Sequence, residues 1–564
     1  MSLRDDINAA HEKYKAKAFI EAEIAIRNLL AQHPSDKDAL RLGALTALAL
    51  NQVIAAQSRM AQACQDVQMN AEIQNTWGNI YKASEEWAQA EAAYKEAMAL
   101  DPNYEPARHN FIDLLVSSGQ PDRAAIEIES QLQTHGNSNF LREAKVMAFT
   151  ELGQYAQAWD IAEEIDGDYR RDKMAYLKVR LLFYARRYDE MKDLADTISP
   201  SSEYKVAALK IVTNAYAMSG DMAAMKEFIS AATDDAQALP IIYTTSIQRL
   251  RRAGFNVMAD DIARKAQVKF GHKSAAIMEG AEALKRKGDY RGAAQNYAQA
   301  LSMSPGNLSI MLEYAQLCLL AGEYDTCQNL IHAALQQAPN NQFVIALAAT
   351  LHRLRGGPYE ILYDFDKYIQ SYELATPKGY NTIMDFNAAL KARLEHYHEF
   401  QSAPLDQSLR GGIQTNMDLS FIDDPILKQF FAMIDAPIKA YMAHIGYDSA
   451  HPLLRRNTGG YRFNGAWSVK LSSEGHHVNH VHPKGWISSS YYVDVPDVTN
   501  NHENQEGWIK FGEPNMKSLD LPAEKFLQPR SGRLVLFPSY MWHGTVPFSG
   551  NQSRLTLPFD VVPA

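Results

Sequence analysis

Through the first 350 residues, apolar side chains recur at helical spacing in short amphipathic runs, with small residues returning at a fixed offset. In "NTWGNIYKASEEWAQAEAAYKEAMALDP", Gly78, Tyr81, Ala90, Tyr94, Ala97 and Pro102 set small and aromatic side chains in a regular order that ends in proline. The same frame returns as Ala293, Tyr297, Ala300 and Pro305, and 34 residues later as Ala334 and Pro339; Pro34 precedes Pro102 by 68 residues, two such periods. Small residues let paired helices approach closely, aromatics fill the space beyond, and proline ends the second helix. Looser copies lie at 153–165 and 185–198. About ten helical hairpins of this length are predicted over residues 5–355.

After Arg355 the period is lost. Amphipathic helices are predicted at 383–399 and 424–445, and a helical linker over 356–404. From 405 to 564 the pattern is of short alternating runs punctuated by Gly, Pro and Asn, with strands expected at 461–473, 487–495, 507–513, 532–538 and 554–562. That spacing predicts a sandwich or small barrel with a core separate from that of the repeats. "SLRGGIQT" at 408–415 is expected as an ordered loop or edge strand in which Gly411 and Gly412 permit unusual backbone angles.

Composition narrows the classes. The chain is 46% hydrophobic and 22% charged, and no run reaches the roughly 18 apolar residues a membrane span needs. The first residues are acidic and amphipathic and lack the features of a secretory signal, so the expected location is cytoplasmic. Cys64, Cys318 and Cys327 are too few for a disulfide framework and have no zinc-site spacing; they are expected in helix packing. A net charge of −10 disfavours nucleic acid as a partner.

The chemistry concentrates in "HVNHVHPKGWISSSYYVDVP". His480 and His482 are two apart, so on an extended segment both side chains fall on one face and converge on a single ion. A third imidazole is available from His543 in "LFPSYMWHGTVPF". In "RLTLPF", Arg554 and Thr556 share one strand face, placing a cation and a hydroxyl beside the candidate metal, with Leu555 and Leu557 on the other. His476, His477 and His502 are expected to be non-ligands, and Phe537 and Phe548 core. Trp542 is expected as a wall of the site and Trp486 as a lid or core. Asn479 is a candidate hydrogen-bond partner of a ligand histidine.

On the quoted repeat residues, the first part resembles the tetratricopeptide-repeat family, which implies an α-solenoid whose concave face binds a protein or peptide. On "HVHPKGWISSSYYV", "GRLVLFPSYMWHGTVPF" and "RLTLPFDV", residues 405–562 resemble the Fe(II)/2-oxoglutarate-dependent oxygenases, in particular a bacterial and phage branch often joined to such repeats. Together these resemblances imply a multidomain α plus β protein: a tetratricopeptide-repeat solenoid followed by a double-stranded β-helix, or jelly roll. They also imply the cofactors Fe(II), 2-oxoglutarate and O2. His480 and His543 would be metal ligands, with His482 standing where the common pattern has a carboxylate. His482 is then either the third ligand or a bystander. Arg554 and Thr556 would hold the far carboxylate of 2-oxoglutarate; Ser490 and Tyr492, or Tyr491 if the register differs, would line its pocket. The implied outcome is hydroxylation of a protein or peptide recruited by the repeats. Two alternatives stay open: a non-enzymatic scaffold with a vestigial metal barrel, and an oxygenase acting on a small molecule.

Overall fold

The structure, a computed structural model, describes residues 3–564 apart from positions 51, 66, 85, 137, 272, 399 and 401. It divides into two compact units, one comprising 1–148 with 336–339 and the other 149–335 with 340–564.

The first unit is built of antiparallel helix pairs. Leu3–Lys15 packs on Phe19–Gln32, Lys37–Ala49 on Val53–Ala63, Ala71–Ala83 on Trp87–Leu100, and Glu105–Ser117 on Pro121–His135. Polar side chains start several of them: Asp36 accepts from the Ala39 amide and Asn70 from that of Ile73, which satisfies donors that the first helical turn leaves unpaired. The repeat frame is explained at Gly78. A Cβ there would lie 2.4 Å from the Tyr94 ring, and Tyr94 is fully buried with its hydroxyl donating to Asn79 Oδ1 at 2.7 Å. Ala90 and Ala97 are buried beside it for the same reason, that only small side chains admit the neighbouring helix.

In the second unit the loose copies form helices too, Tyr155–Glu163 and Tyr188–Thr197, and the regular frame resumes in Ser274–Arg286 and Tyr290–Met303. There Ala293, Tyr297 and Ala300 repeat the burial of Ala90, Tyr94 and Ala97. The series ends with Gln342–Arg355. All three cysteines are free, and Cys318 and Cys327 are buried in helices, where desolvation pushes both thiols up to about 12.

The strands of this unit are β1 (Gln370–Glu373), β2 (Leu409–Gln414), β3 (Tyr461–Ala466), β4 (Val469–His477), β5 (Ile487–Asp494), β6 (Ile509–Phe511), β7 (Lys525–Leu527), β8 (Arg533–Pro538), β9 (His543–Thr545), β10 (Arg554–Thr556) and β11 (Phe559–Pro563). All pairings are antiparallel. The larger sheet runs β1-β8-β5-β10-β4-β2, with β11 joining β3 to β5; the smaller is β7-β6-β9. Together these sheets form the jelly roll.

Two expected strands are each interrupted once, and at the same level. Pro558 has no N–H to offer the ladder between β10 and β11, and its carbonyl accepts from the Trp467 amide in the gap between β3 and β4. Ser489 repairs the break: its hydroxyl donates to the Phe559 carbonyl and accepts from the Phe559 amide, both at 2.8 Å. "SLRGGIQT" becomes the edge strand β2. Gly411 sits at φ +65° where the register to β4 shifts, and a Cβ on Gly412 would lie 2.5 Å from the Lys470 carbonyl oxygen.

Two expectations need correction. The segment 356–404 is not purely helical, because β1 pairs with β8 at the sheet edge while Ile383–Tyr397 packs on β5, with Tyr491 donating to Asn387 at 2.6 Å. The core of the barrel is not separate from that of the last repeats. One buried apolar cluster runs from Met311 and Leu351 through Phe386, Phe430 and Tyr441 to Tyr491, Phe537 and Val561.

The contact at Gly78 makes a stability prediction. Alanine in a helix interior is favoured over glycine by about 1 kcal/mol, yet overpacking against a fixed ring costs about 1–3 kcal/mol. Gly78→Ala should therefore lower apparent stability. Gly280→Ala, whose Cβ would meet only the mobile end of Asn296 at 3.1 Å, should leave it unchanged or raise it. Urea unfolding followed by far-ultraviolet circular dichroism measures both.

Candidate metal centre

His480 and His482 lie on the extended segment after β4, and His543 opens β9. The backbone brings them together: the His480 amide donates to the His543 carbonyl at 2.8 Å and the His543 amide returns the bond at 3.1 Å. Ring centroids are 4.2 Å apart for His480 and His543 and 5.1 Å apart for each pair that includes His482. One ring nitrogen from each residue lies within 4.8 Å of the other two.

Each ring's second nitrogen is occupied. His480 Nδ1 is 2.9 Å from the Val478 carbonyl oxygen, His543 Nδ1 is 2.9 Å from that of Met541, and His482 Nδ1 faces both carboxylate oxygens of Asp560 at 2.8 and 2.6 Å. Carbonyls and carboxylates only accept, so each Nδ1 carries a proton and donates it, which leaves each Nε2 to face the other rings. The Nε2 atoms of His480 and His482 are 3.2 Å apart. That spacing suits two nitrogens sharing one cation, so the donor set fits a divalent transition metal. Burial, reinforced by the neighbouring His482, pushes His480 down to about 3, and burial holds His543 well below the usual imidazole range. Both are therefore in the neutral, ligating form near pH 7.

Beyond the histidines is a cavity of about 1020 Å³. Arg554 lines it, 2% exposed. Among the described residues its Nε and Nη1 have no hydrogen-bond partner, and its guanidinium stands 5.1 Å from the Tyr492 ring centroid. Burial draws its pKa below the ordinary arginine value, yet the group remains a cation near neutral pH. Thr556 and Ser490 also line the cavity. Neither tyrosine is among the residues that line the cavity: Tyr492 pairs with Thr556 and lies against Arg554, and Tyr491 turns away to Asn387.

Other candidates sort differently. Trp542 is no wall of the site; its indole donates to Thr350 Oγ1 at 3.1 Å and meets Phe343 edge to face, both on the last repeat helix. Trp486 is core, fully buried with its indole donating to the Leu453 carbonyl. Phe548 is core, whereas Phe537 is core and cavity lining at once, 4.7 Å from the His543 ring centroid. His502 packs on Trp508, and His476 is bonded to the Glu474 carbonyl. His477 is bridged to His480 by Ser408 Oγ, at 2.9 and 3.2 Å. Asn479 lines the cavity, but the place expected for it beside a ligand histidine is taken by Asp560. The sequence reading passed over Asp560, although a lone carboxylate in the apolar run "PFDVV" was its signal. Ser488, which donates to Asp560 Oδ1 at 2.7 Å, and Ser408 had no comparable signal.

Fold and site together are those of a repeat protein carrying a jelly-roll domain with a candidate metal centre. Residues 465–560 match the family described as "Putative 2OG-Fe(II) oxygenase", and residues 81–141 and 284–351 match the tetratricopeptide repeat. The chain thus carries stretches similar to tetratricopeptide repeats and, after them, a domain similar to the putative 2OG-Fe(II) oxygenases. No curated protein matches it. Among solved structures it is similar to the type IV pilus biogenesis factor PilW, at 18% identity over 37% of this chain and 98% of that one, TM-score 0.32. Pseudomonas aeruginosa pilF is similar at 16% identity over 36% and 94%, TM-score 0.29. A tetratricopeptide repeat protein from Parabacteroides merdae is similar at 16% over 43% and 95%, TM-score 0.26. Scores at this level carry no functional argument. No described helix is long and apolar enough to cross a membrane.

His480→Ala or His543→Ala should abolish tight Fe(II) binding while leaving the helical circular-dichroism signal nearly unchanged, because both rings border the cavity. Metal content after anaerobic loading and desalting is the measurement; wild-type content in either variant would remove the metal site.

Proposed function

We propose that the chain is an Fe(II)/2-oxoglutarate-dependent oxygenase that hydroxylates a protein or peptide. The observation that carries this reading is the pairing of three converging imidazoles with a buried guanidinium, Arg554, two of whose nitrogens have no acceptor among the described residues. A barrel kept only for its shape gains nothing from a dry, unpaired cation, which is costly to bury. A dicarboxylate cosubstrate supplies what the cation lacks.

In this reading His480, His482 and His543 hold iron. Bound there with O2, it would couple oxidative decarboxylation of 2-oxoglutarate to succinate with hydroxylation of a substrate C–H bond. Arg554 grips the distal carboxylate of the keto acid, the Thr556 hydroxyl donates to the same group, and Tyr492 keeps the guanidinium in place from its open face. Ser490 borders the same pocket. Phe537 and Ile509 line the cavity with apolar surface, which limits water around the reacting groups.

Asp560 answers the missing ligand carboxylate. A set of three neutral imidazoles is one negative charge short of the common two-histidine, one-carboxylate site. Asp560 returns that charge one bond further out, fixing the His482 tautomer and raising the basicity of its Nε2. Ser488, itself within 2.9 Å of Ser539 Oγ, holds the carboxylate in place.

Two measurements test these assignments. In an anaerobic titration of the Fe(II) protein with 2-oxoglutarate, chelation should produce a metal-to-ligand charge-transfer band. Loss of a charge-assisted pair worth about 2 kcal/mol or more should raise the concentration needed about 30-fold in Arg554→Met, with lysine restoring only part. Absence of the band in wild type, or identical titration of Arg554→Met, would sink the 2-oxoglutarate assignment.

Asp560→Asn should weaken metal affinity about 10–100-fold, read by competition with a chelating dye. In a His482→Asp background, where the carboxylate is itself a ligand, the same change should cost far less. Equal losses in both backgrounds would mean that Asp560 serves the barrel and not the metal.

A further inference from the structure

The rim of the cavity carries charge that the reaction as proposed does not use. Arg252, the last residue of the repeat helix Pro240–Arg252, Arg410 on β2, and Lys484 just past His482 all line it. Among the described residues, the acidic ones that line it are Asp406 and Asp560. Asp560 is taken up by His482 and Ser488. Asp406 is ion-paired to Arg252 and to Arg249, whose buried guanidinium also donates to Thr213 Oγ1 and the Lys210 carbonyl. Arg410 is fixed by the carbonyls of Gln407 and Leu409, at 3.0 and 2.7 Å, which orient it without neutralising it. Arg249 and Arg410 crowd Arg252 closely enough that, after burial, their like charge helps to lower its pKa. In a chain of net charge −10, this mouth is a local excess of cations.

We propose that the mouth of the cavity recognises an acidic peptide segment, whose carboxylates meet Arg252, Arg410 and Lys484 while the residue to be oxidised enters beneath them. The proposal rests on the oxygenase reading and adds its substrate class. The cavity is at the top of the roughly 300–1,000 Å³ that drug-sized ligands fill, so a five-carbon cosubstrate leaves room for an entering side chain. A repeat helix supplies Arg252, so a ligand at the mouth touches the repeats and the barrel together, as an extended peptide does. Nucleic acid fits less well: single strands bind on aromatic platforms, and the aromatic residues of the lining are Trp467 and, deep beside His543, Phe537.

The test is fluorescence anisotropy on the full, metal-free chain with a labelled peptide of about twelve residues alternating Glu and Ser, against the same peptide with Gln for Glu. The acidic peptide should bind at least about 10-fold more tightly, weakening as salt rises from about 50 to about 300 mM. Arg410→Glu with Lys484→Glu should remove that preference, and the milder Arg410→Gln with Lys484→Gln should reduce it, with circular dichroism confirming the fold. Equal binding of the two peptides, or undiminished preference in a folded Glu variant, overturns the proposal. Tighter binding of a twelve-nucleotide oligothymidylate would give the rim to nucleic acid, and displacement by free glutamate at equal carboxylate concentration would give it to simple anions; either result overturns it. Binding here needs neither iron nor turnover, so a missing charge-transfer band would remove the oxygenase reading without touching this result, and the converse also holds.

Discussion

Three imidazoles brought within reach of one ion repel one another when each turns a lone pair inward, and the groups around them hold that arrangement at the wall of the cavity. The reciprocal backbone bonds between His480 and His543 tie two stretches of the barrel together at the level of the rings. Val478, Met541 and Asp560 then remove the freedom of each ring to turn or to place its proton inward. Without such clamps, either the rings would rotate to hydrogen-bond one another or a proton would settle among them. The stability of the empty arrangement is thus sacrificed to keep three donors aimed at one point, a bargain that only a bound cation makes favourable.

The charge arrangement follows from the same constraint. With His482 where the common pattern has a carboxylate, the negative charge is moved back to Asp560 and kept there by Ser488. Elsewhere in the cavity lining, Arg554 has two guanidinium nitrogens without a partner among the described residues. One end of the site is therefore a set of neutral donors backed by an anion, and the other an unsatisfied cation. A keto dicarboxylate has complementary ends for both.

Much of this was legible in the sequence, for identifiable reasons. The repeat frame is written in residues whose size is constrained directly, as at Gly78 against Tyr94, so period and packing coincide. The HxH spacing and the pairing of Arg554 with Thr556 follow from strand alternation, His543 was offered by the resemblance, and the structure brings those side chains to one cavity. What escaped was non-local. Asp560 reaches His482 across 78 positions of chain, Ser408 meets His480 across 72, and Trp542 meets Thr350 across 192. No periodicity encodes such meetings. Strand breaks were missed for a related reason: Pro558 was visible, but the partner gap at Trp467 exists only because β3 and β4 lie opposite it.

The bond from Trp542 to Thr350 has a wider meaning. The residue next to a candidate ligand, His543, is fastened to the last repeat helix, within an apolar cluster that begins at Met311. The point where the sequence changes character is therefore no seam in the material. A barrel cut free at residue 355 would bare the apolar face that the last repeat helices now cover, so severing the chain there would leave a surface prone to aggregation.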